Sequence, residues 1–193
     1  MAGKAEILDE VLNAKKAVGS IRGKNQPIKW AVLIINTIKV AGGDDEAKEV
    51  EHRQIAVESW HGGNQQDIED EKARNEARAK VAKEDKTPLS SLKAALPDKE
   101  CRYFLYCGDT YALSKWKKDE LNLIFWSPLM CVDKKMKSQY AAYLQNAALD
   151  LNLGHKTFQE RNDYDNNDDF AIFDKTAKIW TEDDDDEDSG ISD

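Results

Sequence analysis

DELNLIFWSPLMCVDKKMKSQYAAYLQNAALDLNL, residues Asp119 to Leu153, decides the fold. Leu121 to Trp126 is apolar except for Asn122, and its side chains are large, as in a central strand buried on both faces. Ser127-Pro128 ends that strand, because proline has no N–H to give to a ladder. Asp133 is placed to cap a helix, its carboxylate accepting an N–H that the first turn leaves unpaired. From Lys134 onward Met136, Tyr140, Tyr143, Leu144, Ala147 and Leu151 recur at spacings of three and four. That stripe predicts a helix of roughly 27 Å with one face on a core, and Gly154 is the expected stop. The opposite face starts with Lys134, Lys135 and Lys137 and continues through Ala141, Ala142, Gln145 and Asn146. A solvated face carries interspersed charge; one that thins to neutral residues suits docking against a partner.

Outward from this stretch, the rest of the chain supplies the remaining layers. Ile7, Leu8, Val11, Leu12, Ala14 and Val18 predict a helix over Ala5 to Val18, with Gly19 behind it. A loop is expected over Gly23 to Pro27. The run WAVLII within Lys29 to Val40 predicts a buried strand. Ala41 to Glu51 reads as a turn region, and His52 to Trp60 as a second strand pairing with the first. Gln65 to Lys86 is almost wholly Glu, Lys, Arg and Ala, and predicts a helix with a thin stripe of Ile68, Ala73, Ala77 and Val81. It is expected to project, solvated, from the domain; a second partner surface is the alternative. Pro88 to Leu96 predicts a short helix with Leu89, Leu92 and Leu96 on one side. A strand follows over Cys101 to Cys107. After the long helix, Lys156 to Glu160 is the last expected strand, Asn162 to Asp169 a turn, and Phe170 to Trp180 a short helix or an extended segment. The order implies a mixed α/β fold: a central sheet of about five strands with helices on both faces.

Charge and cysteine content narrow the function. The chain of 193 residues has net charge −9, yet residues 182 to 193 hold eight acids and no base. The remaining 181 residues have 29 acids against 28 bases, so the body is nearly neutral and nucleic acid is not the expected partner. Thr181 to Asp193 is expected to be disordered. No apolar run approaches the length of a membrane span, and MAGKAEILDE has no signal-peptide core, so a cytoplasmic protein is expected. Three cysteines fit reduced, small core residues better than a disulfide framework, with Cys101 and Cys107 on one face of a strand but too far apart to pair. No phosphate-binding loop, dinucleotide fingerprint, nucleophile elbow or HExxH motif is present. His52, His61 and His155 are scattered, and DYDNNDD lacks the glycine and terminal glutamate of a calcium loop. Catalysis, a metal and a cofactor are not expected.

Three motifs in order carry a family resemblance: LPDKECRYFLYCGDTYAL (Leu96 to Leu113), KKDELNLIFWSP (Lys117 to Pro128) and KKM (Lys134 to Met136). They resemble the second half of an actin-depolymerising factor/cofilin domain. The first 60 residues resemble the family in pattern only. The resemblance implies an ADF-homology fold over 1–180, with a charged helical insertion at about 62–87 and an acidic segment at 181–193. It implies a mostly antiparallel sheet whose final strand pairs in parallel after the long helix. It implies an actin-binding, cytoskeletal protein without enzymatic activity, expected to be monomeric. Lys135 and Met136, flanked by Lys134 and Lys137, match the family's Lys-Met pair that meets the actin monomer. Lys118 and Glu120 match a charged pair that touches a second actin subunit in filaments, and Arg102 matches an arginine serving the same second site. Binding to monomers and filaments, with promotion of filament disassembly, is the implied activity. Two alternatives accompany it: a glia-maturation-factor-like binder of the actin-branching complex, and a non-actin protein whose acidic segment seeks a basic partner. The sequence departs from the family's pattern at Asn146-Ala147-Ala148, where many members carry lysines, and in lacking a serine near Met1.

Overall fold

The computed structural model describes residues 4–18, 28–41, 49–112, 115–128 and 130–159, with the backbone alone at 41, 49–50, 108–112, 115–120 and 154–159. The expectations for Gly19, for 23–27 and for 162–193 lie outside the described residues.

The apolar run that opens the argument forms the C-terminal half of β5 (Lys115–Ser127). It is antiparallel to β4 (Arg102–Ala112) on one side and parallel to β6 (Gly154–Gln159) on the other. β4 pairs in turn with β2 (Trp30–Ala41), and β2 forms a long antiparallel ribbon with β3 (Glu49–Trp60). The five expected strands are present. A sixth, β1 (Glu6–Ile7), joins β3 in parallel at Gln54 and Ile55, so the sheet order is β1-β3-β2-β4-β5-β6. This pairing shortens the first expected helix to α1 (Asp9–Val18). Residues 5–8 have helical spacing, but the Leu8 N–H bonds Ile55 O at 3.1 Å and Glu6 accepts from the Gln54 amide at 2.8 Å. β3 likewise starts at Glu49, inside the expected turn, because ladder bonds are made by main chain and an exposed ribbon tolerates charged side chains.

Successive residues of β4 point to opposite faces and so build two cores. Tyr103, Leu105 and Cys107 join Leu123 and Phe125 beneath α1 and α4 (Lys134–Asp150). Phe104 and Tyr106 join Ile124, Trp126, Trp30 and Val32 beneath α3 (Pro88–Ala95), where Leu92 and Leu96 close the layer as the leucine spacing predicts. Two indoles fix that second layer: Trp30 donates to Ser91 Oγ at 3.1 Å and Trp126 to Pro97 O at 2.8 Å.

The segment at about 62–87, expected as a projecting charged helix, departs from that form. α2 (Glu71–Ala82) is shorter than 65–86 and does not project. Its packed side is Arg78, Ala79 and Ala82, while Val81 of the expected stripe is 52 % exposed. Arg78 lies over the Trp60 ring, its guanidinium carbon 3.7 Å from the centroid. It also donates to Gly63 O, Asn64 O and Asn75 Oδ1. Reading only apolar residues as inward missed this, because an arginine can bury its planar group against an aromatic face. At the far end buried His61 stacks on Trp30, accepts the Lys29 N–H at Nδ1 (3.0 Å) and meets Asp85 at Nε2 (3.0 Å). Gly62 has φ +91°, and a Cβ there would stand 2.2 Å from Arg78 O, so the turn ahead of α2 requires glycine. No described helix is long and apolar enough to cross a membrane.

Candidate partner-binding site at the start of the long helix

α4 is positioned by its aromatic stripe. Tyr140 lies against Tyr103 (centroids 4.9 Å) and Phe125 (6.0 Å, nearly parallel). The Tyr103 hydroxyl donates to Tyr140 O, and the Tyr140 hydroxyl accepts the Ile35 N–H at 3.0 Å. Burial pushes both phenols above their ordinary range, so they stay neutral hydrogen-bonding groups. Tyr140, Tyr143, Leu144, Ala147 and Leu151 are buried as the spacing predicts, and Ala148 joins them. The helix ends earlier than its expected glycine stop. Asn152 takes the left-handed conformation (φ 50°), and Leu153 N–H returns to Ala148 O at 2.9 Å. Asparagine tolerates this end geometry, which frees Gly154 to begin β6.

The helix start is built by its cap. Asp133 Oδ1 accepts from Lys135 N (2.8 Å) and Met136 N (3.0 Å), as expected. Upstream, Cys131 turns inward, its Sγ 3.8 Å from Cys101 Sγ, with both thiols reduced and buried. Burial, then the neighbouring Cys131 thiol, pushes the Cys101 thiol up to about 12, so it stays protonated and unreactive. Because Cys131 points in, its neighbours point out: Met130 is 59 % and Val132 89 % exposed.

Lys134 and Lys135 are exposed and Lys137 half-exposed. Among the described residues none of the three has an ion-pair partner. The first turn of α4 carries no acid, so three cations stand on the positive end of a 17-residue helix. Met136 is only half-exposed, and its sulfur accepts the Cys101 N–H at 3.3 Å. The apolar side chains offered to solvent beside the lysines are therefore Met130 and Val132. Sequence reasoning passed over them, although alternation about a buried Cys131 is the signal that finds them. Beyond the cluster the exposed face runs through Ser138, Ala141, Ala142, Gln145 and Asn146 to Leu149, which is 69 % exposed.

The residues assigned to a second site do not come together. Arg102 pairs with Trp126 at the end of β5 from which the chain passes to α4, whereas Glu120 lies opposite Gly108, six residues and about 20 Å back along the strand. Lys118 sits where the β4–β5 register shifts; the side chains of Lys118 and Glu120 are not described. Arg102 is 6 % exposed, with Nε and Nη2 on the two Glu58 oxygens (2.7 and 2.8 Å), Nη2 on Glu100 (2.9 Å) and Nη1 on Cys101 O (2.8 Å). Burial acts to lower its pKa, but Glu58 and Glu100 outweigh that and hold the guanidinium charged. Arg102, expected to contact a partner directly, is thus buried with four of its five N–H donors engaged within the chain. Among the described residues no group of three His, Cys, Asp or Glu side chains is placed to hold a metal.

The connectivity is the one the motif resemblance implied: an antiparallel centre, a long helix, then a last strand joining in parallel. The chain thus has the architecture of an ADF-homology domain. No family model matches the sequence. Among solved structures it is similar to actin depolymerization factor 2 of Plasmodium berghei (14 % identity, 81 % of this chain and 88 % of that one, TM-score 0.45). It is also similar to an ADF/cofilin of Trypanosoma brucei (16 %, 84 % and 88 %, 0.42) and a cofilin of Streptomyces griseoflavus (17 %, 79 % and 82 %, 0.39). The fold assignment rests on the strand order and pairing, not on these scores.

Proposed function

We propose that this protein binds actin through the start of α4, with Lys134, Lys135 and Lys137 as the cationic contacts and Met130, Val132 and Met136 as the apolar ones. It works by binding alone, in the cytoplasm, as a monomer, and needs no covalent step. The reading rests on one observation: a lysine cluster without an ion-pair partner among the described residues, beside two exposed apolar side chains on a capped helix start. Cations steer the encounter with an acidic surface, and flexible Met130 adapts to an apolar recess. The motifs quoted above supply the family context in which that surface belongs to actin. Lys118 and Glu120, at the opposite end of β5, form the filament contact in this reading, and Arg102 supports the fold near the main site. Preferential binding to one filament conformation then shifts the filament toward disassembly, by differential affinity alone.

The test is high-speed co-sedimentation with filamentous actin at two pH values, measuring actin in pellet and supernatant. Wild-type protein is expected to pellet with filaments or to move actin into the supernatant. Lys134→Ala with Lys135→Ala is expected to abolish both effects at unchanged thermal stability. Unchanged binding by the double variant refutes the site, and absence of binding by wild type to filaments and to monomers in native gels refutes actin as the partner.

A further inference from the structure

Two opposite concentrations of charge remain to be matched. One is the start of α4, where Asp133, the acid next to the lysines in the chain, has its Oδ1 held by two helix N–H groups. Several other described cations are engaged or interleaved with acids, and Lys15 and Lys16 at the end of α1 form only a smaller pair. Lys4 meets Asp150, Lys72 meets Glu76, and Lys83 and Lys86 alternate with Glu84 and Asp85. The second concentration is Glu182 to Asp188, seven consecutive acids.

The register places the route between them. Gln159, the last residue of β6, lies opposite Ser127, the last residue of β5. The chain therefore leaves β6 at the end of the sheet from which it also enters the loop to α4. Seven residues separate Ser127 from Lys134, a span of at most about 25 Å. Twenty-three residues separate Gln159 from Glu182. Extended, they reach about 75 Å; even wound as a helix they reach about 34 Å. The intervening chain is thus long enough for the acids to reach the lysines in cis.

We propose that Glu182 to Asp188 dock on Lys134, Lys135 and Lys137 of the same molecule, where the positive end of α4 adds its dipole, and so cover the partner site. This builds on the function proposed above by naming the cluster's intramolecular competitor. Each exposed ion pair is weak and salt-screened. Tethering compensates, because it presents the acids at an effective concentration of millimolar order. The cover is accordingly partial and displaceable: a partner that adds the apolar contacts of Met130 and Val132 to the same charges displaces it. Its expected effect is a weakening of partner binding by about two- to tenfold.

The test does not depend on actin. A nitroxide is attached at Ser189→Cys in the full-length chain, whose native cysteines are buried, and paramagnetic broadening of amide signals is read by NMR. Broadening centred on residues 133–138 is expected at low salt, fading at ~0.5 M salt and in Lys134→Ala with Lys135→Ala and Lys137→Ala. No broadening there, or broadening centred elsewhere, overturns the proposal. Actin co-sedimentation with Asp183, Asp184, Asp185 and Asp186 all changed to Asn is the second arm. Tighter binding than wild type supports the cover, and binding equal to wild type overturns it. If neither form binds actin while the broadening persists, docking stands and actin as the partner fails.

Discussion

Arg78→Ala tests whether α2 is packed as part of the domain. The substitution removes the guanidinium over Trp60 and its three hydrogen bonds, to Asn64 O and Asn75 Oδ1 at 2.9 Å and Gly63 O at 3.3 Å. A partly desolvated cation–π contact is worth about 1 kcal/mol. The three hydrogen bonds end on residues that are exposed (Gly63, Asn64) or half-exposed (Asn75), whose acceptors regain water, so each contributes only about 0.5–1 kcal/mol. The expected loss is about 2–4 kcal/mol, a large share of the roughly 5–15 kcal/mol that stabilises a domain. Urea unfolding measures it, with amide exchange of α2 as the local readout. Arg78→Lys keeps the charge but loses the planar group and the fork, and is expected to recover less than half. Val81→Ala, on the exposed side, is expected to change stability by less than about 0.5 kcal/mol. A loss below that same value for Arg78→Ala, with α2 exchange unchanged, would refute the reasoning and return α2 to a solvated appendage.

Asp133→Ala removes both cap bonds of α4 and is expected to cost about 1 kcal/mol, with faster amide exchange confined to the first turn. Asp85 carries a pH signature. Burial raises its pKa, but bonds from Ser91, the Thr87 N–H and His61 lower it further, so the folded value lies below the ordinary one. Its contribution is therefore present above the unfolded pKa and lost as pH falls through the lower folded value. The stability gap between wild type and Asp85→Asn, measured by urea midpoints, is expected to be full at pH 7 and to close below about pH 4. For Arg102→Ala, Glu58 loses both its bonds while remaining one-third exposed, so a loss of about 2–3 kcal/mol is expected. Actin binding measured well below the melting temperature should change little; a selective loss of binding at native stability would restore Arg102 as a direct contact.

The layers of the fold were legible because they are written in periods. The 3.6-residue stripe of α4, the leucines of α3 and the continuous apolar run of β5 each dictate which side is inside before any partner is known. Asp133 was legible for a similar reason, since a cap acts within three residues of itself. β1 was not, because a two-residue strand exists only through its neighbour β3. The end of α4 was misplaced by two residues, since Asn152 and Gly154 both suit a left-handed stop and only the strand partner of Gly154 decides between them.

At the candidate site the division has the same cause. The sequence by itself determined that a lysine cluster opens a long amphipathic helix with an uncharged outer face, because local spacing sets which residues share a face. Only the tertiary structure decided what those groups have left to offer. It turned the Met136 sulfur onto Cys101, brought Met130 and Val132 outward by burying Cys131, and spent Arg102 on Glu58 and Glu100. It also made Arg78 an inward residue by setting Trp60 beneath it. Contacts such as Arg78 over Trp60 and Arg102 on Glu58, 18 and 44 positions apart, depend on how the layers close, and no local period in the chain records them.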